Sequence, residues 1–363
     1  GNSIHDNYYG LWLDASSATL AATPTITNNK IINNNSYGVT LRSYVSNALM
    51  PGWTLTNNNI SGNGSYNFFF SQSSAFLNPA TTKVSAKNNW WGSADPATIA
   101  GKIYDYSDYN VLPTLDFSNY LSADGGAAVP GLMLIGTLSG DTTAATGTTT
   151  QVLGAVNIPT GMTLTVETGA MLSAVAPISV ASGATLVAQP GSTLSFVGST
   201  AGIQTQSGAT LTLQGTPTNK ILFTSSKATK AKSDWAGITV NTDASAAIEN
   251  VIVEYANNGV TFSGPTTGAL SPLGGTLLNS ELRNNSTGVL LAGYVSTTLQ
   301  GNSIHDNYYG LWLDASSTTL AATPTITNNK IINNNYYGVT LRSYGTNALM
   351  PAWTLTSNNI SGN

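Results

Sequence analysis

The sequence has no cysteine among its 363 residues, and only 8% of the residues are charged. Without cysteine, neither a disulfide framework nor a thiolate metal site can form. The formal net charge of −4 leaves no basic excess, so we predict no nucleic-acid partner. No stretch approaches the roughly 18 apolar residues of a membrane-spanning helix, so we predict no membrane span. This composition is typical of an exported prokaryotic protein, and we expect an extracellular or cell-surface location.

Groups for metal binding and catalysis are also scarce. The two histidines, His5 and His305, occupy the same position of a repeat and offer no zinc or copper site. Ser3 lies two residues from His5, but nothing nearby predicts an oxyanion hole. The 16 acidic residues are dispersed, whereas glycoside hydrolysis needs paired carboxylates. We therefore predict no catalytic, cofactor-binding or metal-binding residues and no enzymatic activity.

The densest acidic segment contains Asp105, Asp108 and Asp116. Calcium takes several carboxylate and carbonyl oxygens, so a calcium site is the alternative for this segment. No arginine neighbours these aspartates, as a polysaccharide lyase would need. We interpret them as turn-forming and capping residues.

A long internal repeat is the most informative feature of the sequence. Residues 301–363 repeat residues 1–63 with six differences, at an offset of 300 residues. We expect an excerpt from a longer tandem array, because array units stay similar while old duplications diverge. A single duplication in an ordinary protein is the alternative.

Short blocks of similar design recur throughout the chain, as in 280–293, 302–315 and 329–343. Each has alternating apolar residues, an Asn-rich turn, a glycine and a second alternating strand. Their spacing of 22 to 29 residues predicts an all-β, right-handed parallel β-helix, or β-solenoid. Residues of successive coils should then stack in ladders, with Asn taking left-handed backbone angles and bonding along the stack. The predicted apolar ladders are Ile4, Ile31 or Ile32, and Ile60; and Leu11, Val39 and Phe68.

The predicted organisation of the units follows from a change in composition and turn spacing along the chain. Residues 160–226 have Gly-containing turns at closer spacing and predict shorter coils. We assign residues 1–122 to the C-terminal half of one unit with its closing segment. Residues 123–150 are predicted to be an inter-unit linker or leading edge, and 151–363 the N-terminal and central coils of the next unit.

Several runs of the sequence resemble a known group of proteins. TLTVETGAMLSA (163–174), GATLVAQPGSTLSF (183–196) and AIENVIVEYANNGV (247–260) resemble the opening coils of right-handed β-helix repeat proteins of the pectate-lyase-like superfamily. NNWWGSADPATIAGKIYDYSDYN (88–110) resembles their closing segment. The resemblance implies the fold, but that fold hosts lyases, hydrolases, epimerases, tailspikes and non-enzymatic surface proteins. We expect the non-enzymatic surface type.

Aromatic residues recur at related coil positions, and those that face outward are candidate contact residues for a sugar or a neighbouring unit. Simple alternation along residues 8–12 sends Tyr9 and Leu11 to one face and Tyr8 and Trp12 to the other. Core and loop packing is the other use of these rings, and the sequence favours it over an exposed contact surface. The predicted contact residues are Tyr8, Trp12, Tyr37, Trp90 and Trp91.

Three functions follow from these observations. The first is a structural building block of an extracellular fibre, filament or stalk, whose units associate head to tail or in lateral bundles. The second is a surface adhesin that binds a polysaccharide through an exposed aromatic stripe. The third is a polysaccharide lyase or hydrolase, which requires a groove with clustered acids and arginine. The sequence favours them in that order.

Overall fold

The computed structural model describes residues 1–19, 23–50, 52–77, 82–106, 108–109, 111–241, 243–266, 273–315, 322–343, 349 and 352–363. These residues form two compact units, Gly1–Gly136 and Thr137–Asn363. Both consist mainly of short parallel strands. Among the described residues, no helix is long and apolar enough to cross a membrane.

The strands form because β-branched and apolar residues alternate between turns of Gly and Asn. In Thr185–Ala188, for example, Leu186 and Ala188 are buried, whereas Thr185 and Val187 are half-buried. The first unit has these elements: β1 (Ser3–His5), β2 (Tyr9–Ala15), β3 (Thr25–Thr27), β4 (Lys30–Ile32), β5 (Tyr37–Ser43), β6 (Thr54–Thr56), β7 (Asn59–Ser61), β8 (Tyr66–Gln72), β9 (Lys83–Ser85), α1 (Pro96–Ala100), β10 (Ile103–Tyr104), β11 (Thr114–Asp116) and β12 (Gly131–Thr137), which ends at the unit boundary.

The second unit continues the same pattern of short strands. Its elements are β13 (Thr142–Ala144), β14 (Thr149–Ile158), β15 (Thr163–Val166), β16 (Met171–Ala174), β17 (Pro177–Val180), β18 (Thr185–Ala188), β19 (Thr193–Phe196), β20 (Gly198–Thr205), β21 (Thr210–Gln214), β22 (Ile221–Ser225), β23 (Trp235–Asn241), β24 (Ser245–Glu249), β25 (Val251–Glu254), β26 (Ala256–Ser263), β27 (Thr276–Leu278), β28 (Glu281–Arg283), β29 (Thr287–Ala292), β30 (Thr298–Gln300), β31 (Ser303–His305), β32 (Tyr309–Ala315), β33 (Thr325–Thr327), β34 (Lys330–Ile332), β35 (Tyr337–Ser343), β36 (Thr354–Thr356) and β37 (Asn359–Ser361).

Three stacks of parallel strands build the second unit, and the chain visits them in a fixed order. Face A contains β13, β15, β18, β21, β24, β27, β30, β33 and β36. Face B contains β16, β19, β22, β25, β28, β31, β34 and β37, and face C contains β17, β20, β23, β26, β29, β32 and β35. The long strand β14 serves faces B and C, since its two halves pair with β16 and β17.

One pass over faces A, B and C is a coil, which we number along the second unit. Coil 1 is β13–β14, coil 2 β15–β17, coil 3 β18–β20, coil 4 β21–β23, coil 5 β24–β26, coil 6 β27–β29, coil 7 β30–β32 and coil 8 β33–β35, followed by β36 and β37. The described strands of successive coils pair in parallel, as the sequence predicted for a β-helix.

Coil length varies along the second unit. Paired positions on face A are 22 residues apart at Thr163 and Thr185, which confirms the shorter coils predicted in this region. They are 35 residues apart at Thr210 and Ser245, beyond the predicted range. The extra length comes mostly from residues 226–234, between β22 and β23.

Both predicted apolar ladders are present in the first unit. Ile4 pairs with Ile31, which pairs with Ile60, so Ile31 rather than Ile32 is the ladder residue. The second ladder joins Leu11, Val39 and Phe68 as predicted. The middle and last members of each ladder are fully buried. The interior of the coils is therefore the hydrophobic core.

The two properties predicted for the Asn-rich turns, left-handed backbone angles and hydrogen bonds along the stack, belong to two adjacent asparagines. Asn33 takes the left-handed backbone conformation, with φ of 53°. The Asn34 side chain is buried and lies in a ladder of amides along the stack. Its Nδ2 donates to Asn63 Oδ1 at 3.0 Å, and its Oδ1 accepts from Asn7 Nδ2 at 3.3 Å.

The same ladders recur at two turns in the last coils of the second unit. At the turn between faces A and B, Asn302 Nδ2 donates to Asn329 Oδ1 and Asn329 Nδ2 to Asn358 Oδ1, at 2.9 and 3.0 Å. At the turn between faces B and C, the ladder comprises Asn285, Asn307, Asn334 and Asn363. The amide ladders therefore bond coil to coil inside the turns.

The 300-residue repeat is also a structural repeat. Strands β1–β7 and β31–β37 have the same bounds when 300 is added to each residue number. Over the described residues of both copies, the strand pattern is the same. The proposed boundaries at residues 122 and 150 concern how repeat units join in an array, and they stay a prediction. Strands β12 and β13 lie within the predicted linker.

Candidate functional site

A column of stacked aromatic rings lies on the outer surface of the first unit. It is formed by residues of β2, β5, β8 and β10, which pair in that order. The ring centroids are 5.4 Å apart for Tyr9 and Tyr37, 4.2 Å for Tyr37 and Phe69, and 4.9 Å for Phe69 and Tyr104. All three pairs are stacked, so the ring faces contact one another along the axis of the coils.

The predicted alternation along residues 8–12 is wrong at Tyr9. Leu11 lies in the inward ladder, whereas Tyr9 contacts the outward Trp12 ring at 4.9 Å. The cause is Gly10, which breaks the alternation between them. A Cβ on Gly10 would lie 2.4 Å from the carbonyl oxygen of Gly38, so the two backbones approach too closely for a side chain.

Trp12 belongs to a polar cluster beside the column. Its Nε1 donates to Asp14 Oδ1 at 2.9 Å, and Arg42 donates to both Asp14 oxygens at 2.9 and 2.8 Å. Hydrogen bonding from Arg42 lowers the pKa of Asp14. The Arg42 guanidinium lies 5.2 Å from the Trp12 ring and 5.0 Å from the Tyr44 ring. The structure thus brings together an aromatic and charged surface cluster.

The predicted contact residues fall into two groups. Tyr8, Trp12 and Tyr37 lie in or beside the column, and Tyr8 is 63% exposed. Trp90 and Trp91 lie apart from it. Trp91 is only 2% exposed, and the backbone of Trp90 bonds to Asn58 and Ile60. Their role in binding a sugar or a neighbouring unit stays a prediction.

The second unit has a related group of rings. Tyr309 stacks on Tyr337 at 6.0 Å and meets the edge of Trp312 at 4.7 Å. Tyr336, which replaces Ser36 of the first copy, contacts Tyr308 and Tyr309 at 5.5 Å each. The repeat therefore preserves the stacked pair and adds one ring.

A charged network that the sequence did not predict lies on the outside of face B. Glu254, Arg283 and His305 occupy one register position in coils 5, 6 and 7. Arg283 donates from Nε to Glu254 at 2.9 Å and from Nη1 to Glu281 at 2.8 Å. Thr224 donates to Glu254 at 2.8 Å. The inference that acidic residues are dispersed is therefore wrong for this face.

The charged neighbours of Glu281 lower the pKa of its carboxyl group. Burial alone would raise the pKa of Glu281, but Arg283 and His305 outweigh it, so the pKa lies below its usual value. His305 lies between two acids, with Nε2 3.2 Å from Glu281 and Nδ1 2.7 Å from Asp306. A general acid needs the opposite shift, toward a raised pKa. This arrangement suits an ion-pair network.

The three aspartates near the closing segment accept hydrogen bonds from backbone N–H groups, which agrees with the predicted turn-forming and capping roles. Asp105 accepts from the backbone N–H of Leu115 at 2.9 Å, and Asp108 accepts from that of Asp105 at 3.1 Å. Asp116 accepts from the backbone and hydroxyl of Ser118. In the part of the chain that the structure describes, no three His, Asp or Glu residues are placed to hold a metal.

Comparison with known proteins agrees with the fold. Residues 213–363 match the family described as right handed beta helix region. Neither the curated proteins nor the solved structures contain a match. The matched segment includes coils 5 to 8 and the ion network.

Proposed function

Because this chain is a right-handed parallel β-helix repeat protein, we propose that it is a structural building block of an extracellular fibre or cell-surface stalk. The observation that carries the proposal is the set of asparagine ladders. Buried amides such as Asn307 donate to the next coil and accept from the previous one. Such bonds join each coil to the next and so support the continuity of a rod.

The aromatic column supports the same role. A sugar-binding platform presents free ring faces, but Tyr37 and Phe69 are stacked face to face at 4.2 Å with planes 5° apart. Their faces are thus occupied by each other. Each stacked pair adds about 0.5–1.5 kcal/mol beyond burial. The column ties successive coils together on the outside, as the amide ladders do at the turns.

The charged network also favours a scaffold over an enzyme. A glycosidase needs one carboxyl group to carry a proton at working pH. Glu254 and Glu281 instead share the guanidinium of Arg283. The network links coils 5, 6 and 7 and supports the proposal that the protein is not an enzyme.

Antibody-labelled electron microscopy of the source organism tests this function. We expect label along fibres or stalks outside the cell, at intervals that follow the repeat. Label confined to the cell interior, or to isolated particles without fibres, would contradict the proposal. A screen for polysaccharide binding and cleavage would then be the next experiment.

A further inference from the structure

The loop of residues 226–234, which we name the strap, is longer than the equivalent turns of the following coils. The turn between faces B and C is a single residue, Tyr255, in coil 5. It spans 284–286 in coil 6, 306–308 in coil 7 and 333–336 in coil 8. The strap belongs to coil 4 and accounts for most of its extra length.

The strap runs along the stack and touches each of these turns in order. In coil 5, the N–H of Asp234 donates to the Tyr255 carbonyl at 3.0 Å. In coil 6, the Ser233 hydroxyl lies 2.7 Å from that of Ser286. These two contacts already extend from coil 4 to coil 6.

The side chain of Lys232 extends the contacts of the strap to coils 7 and 8. Its Nζ donates to the Asp306 carbonyl at 2.5 Å in coil 7 and to Asn335 Oδ1 at 3.4 Å in coil 8. The ammonium also lies 4.3 Å from the centre of the Tyr308 ring. One side chain therefore contacts coils three and four positions away.

The base of the strap is held by a buried carboxylate. Asp234 accepts from the Lys227 ammonium at 2.6 Å, the Ser225 hydroxyl at 2.7 Å and the Ala231 N–H at 2.9 Å. Burial alone would raise the pKa of Asp234, but these bonds outweigh it and keep the pKa below its usual value. The strap is thus fixed at its origin as well as at its far end.

Contacts of this range matter because of how solenoids are built. In a repeat fold each coil normally contacts only its neighbours, so stability is a sum of local terms and coils can open one at a time. The strap starts in coil 4 and bonds to coils 5, 6, 7 and 8. It therefore couples the opening of coils that are not neighbours.

We propose that the strap is a lock that makes coils 4 to 8 open together rather than singly. Coils 6, 7 and 8 are also joined by backbone bonds at the strapped turns. Tyr308 N–H donates to Asn285 at 3.1 Å, and Asn335 N–H donates to Asn307 at 2.8 Å. These amides report whether the turns open. The proposal concerns the fold itself and does not depend on the fibre role.

Hydrogen exchange on the full chain tests the lock, with Lys232→Ala as the variant and Lys330→Ala as the matched loss of a lysine in coil 8. We expect exchange at the Tyr308 and Asn335 amides to become about tenfold faster in K232A and to stay unchanged in K330A. The amides of Ala181 and Gln206, which bond between earlier coils, should keep their rates in both variants.

Equal exchange at Tyr308 and Asn335 in K232A and the unsubstituted chain would overturn the proposal. The same acceleration in K330A would also overturn it, since it would reflect a general loss of charge. Ser233→Ala provides a second variant that keeps every charge. It removes the contact to Ser286, and we expect faster exchange at the Ser286 amide, which bonds to the Ala256 carbonyl.

Discussion

At the scale of single residues, asparagine is used for two separable properties. Asn33 and Asn333 supply left-handed backbone angles, which residues other than Gly, Asn and Asp adopt at a cost. Asn34 and Asn334, one residue later, supply a buried amide that bonds in both directions along the stack. The sequence predicts both properties, but it does not show which of the adjacent asparagines has the left-handed backbone and which has the buried amide.

Asn34 and Asn35 form a matched pair for testing the amide ladder. Asn34 is 1% exposed, and its loss would leave groups of Asn7 and Asn63 without their amide partner; Asn35 is exposed. We expect Asn34→Ala to destabilise the first unit by about 2–4 kcal/mol, because buried groups lose their hydrogen bonds. Asn35→Ala should cost less than about 0.5 kcal/mol.

Urea unfolding followed by tryptophan fluorescence measures both variants. Equal unfolding midpoints for N34A and N35A would show that the ladder adds nothing to stability. That result would remove the main support for the structural role.

At the scale of strands, simple alternation predicted the inward ladders but failed at Tyr9. Leu11, Val39 and Phe68 each occupy an inward position of an alternating strand, and their stacking was predictable from that alternation and the coil spacing. The failure arises at Gly10, where the close approach to Gly38 shifts the side chains that precede it. A glycine within a strand is a known sign of such irregularity, so the signal was present in the sequence.

The ion network was not predictable for a different reason. Glu254, Arg283 and His305 are far apart in the sequence and meet only because coils of unequal length bring them into one register. Coil length depends on loops whose size the strand pattern does not fix. The strap illustrates this, since no pattern in residues 226–234 predicts contacts to Asp306 and Asn335.

The aromatic column makes a prediction at the strand scale. Phe69 stacks on both Tyr37 and Tyr104, whereas Tyr44 is 59% exposed and lies outside the column. We expect Phe69→Ala to destabilise the first unit by about 1–3 kcal/mol, from two lost ring pairs. Tyr44→Ala should have a much smaller effect.

The comparison uses thermal unfolding followed by circular dichroism. Phe69→Leu serves as a further variant, because it keeps an apolar side chain but removes the ring. If F69L and F69A were as stable as Y44A, the stacked rings would not contribute to the stability of the fold. A binding role for these aromatic residues would then gain support.

At the scale of the whole molecule, the fold was predictable because the repeat and the coil spacing were visible in the sequence. The same seven strands appear in residues 1–63 and 301–363, as near-identical sequence requires. Function is less determined, because the β-helix hosts both enzymes and scaffolds. The case for a scaffold comes from the direction of the contacts, since the amide ladders and the stacked rings act between coils.

X-ray diffraction from oriented native fibres tests this account most directly. Strands stacked along the fibre axis should give a meridional reflection near 4.8 Å. A repeat of 300 residues, at roughly 27 residues per coil, should give an axial period on the order of 50 Å. Both reflections together would establish that the coils run along a structural fibre. Native material without the 4.8 Å meridional reflection, or without any axial period, would contradict the structural role.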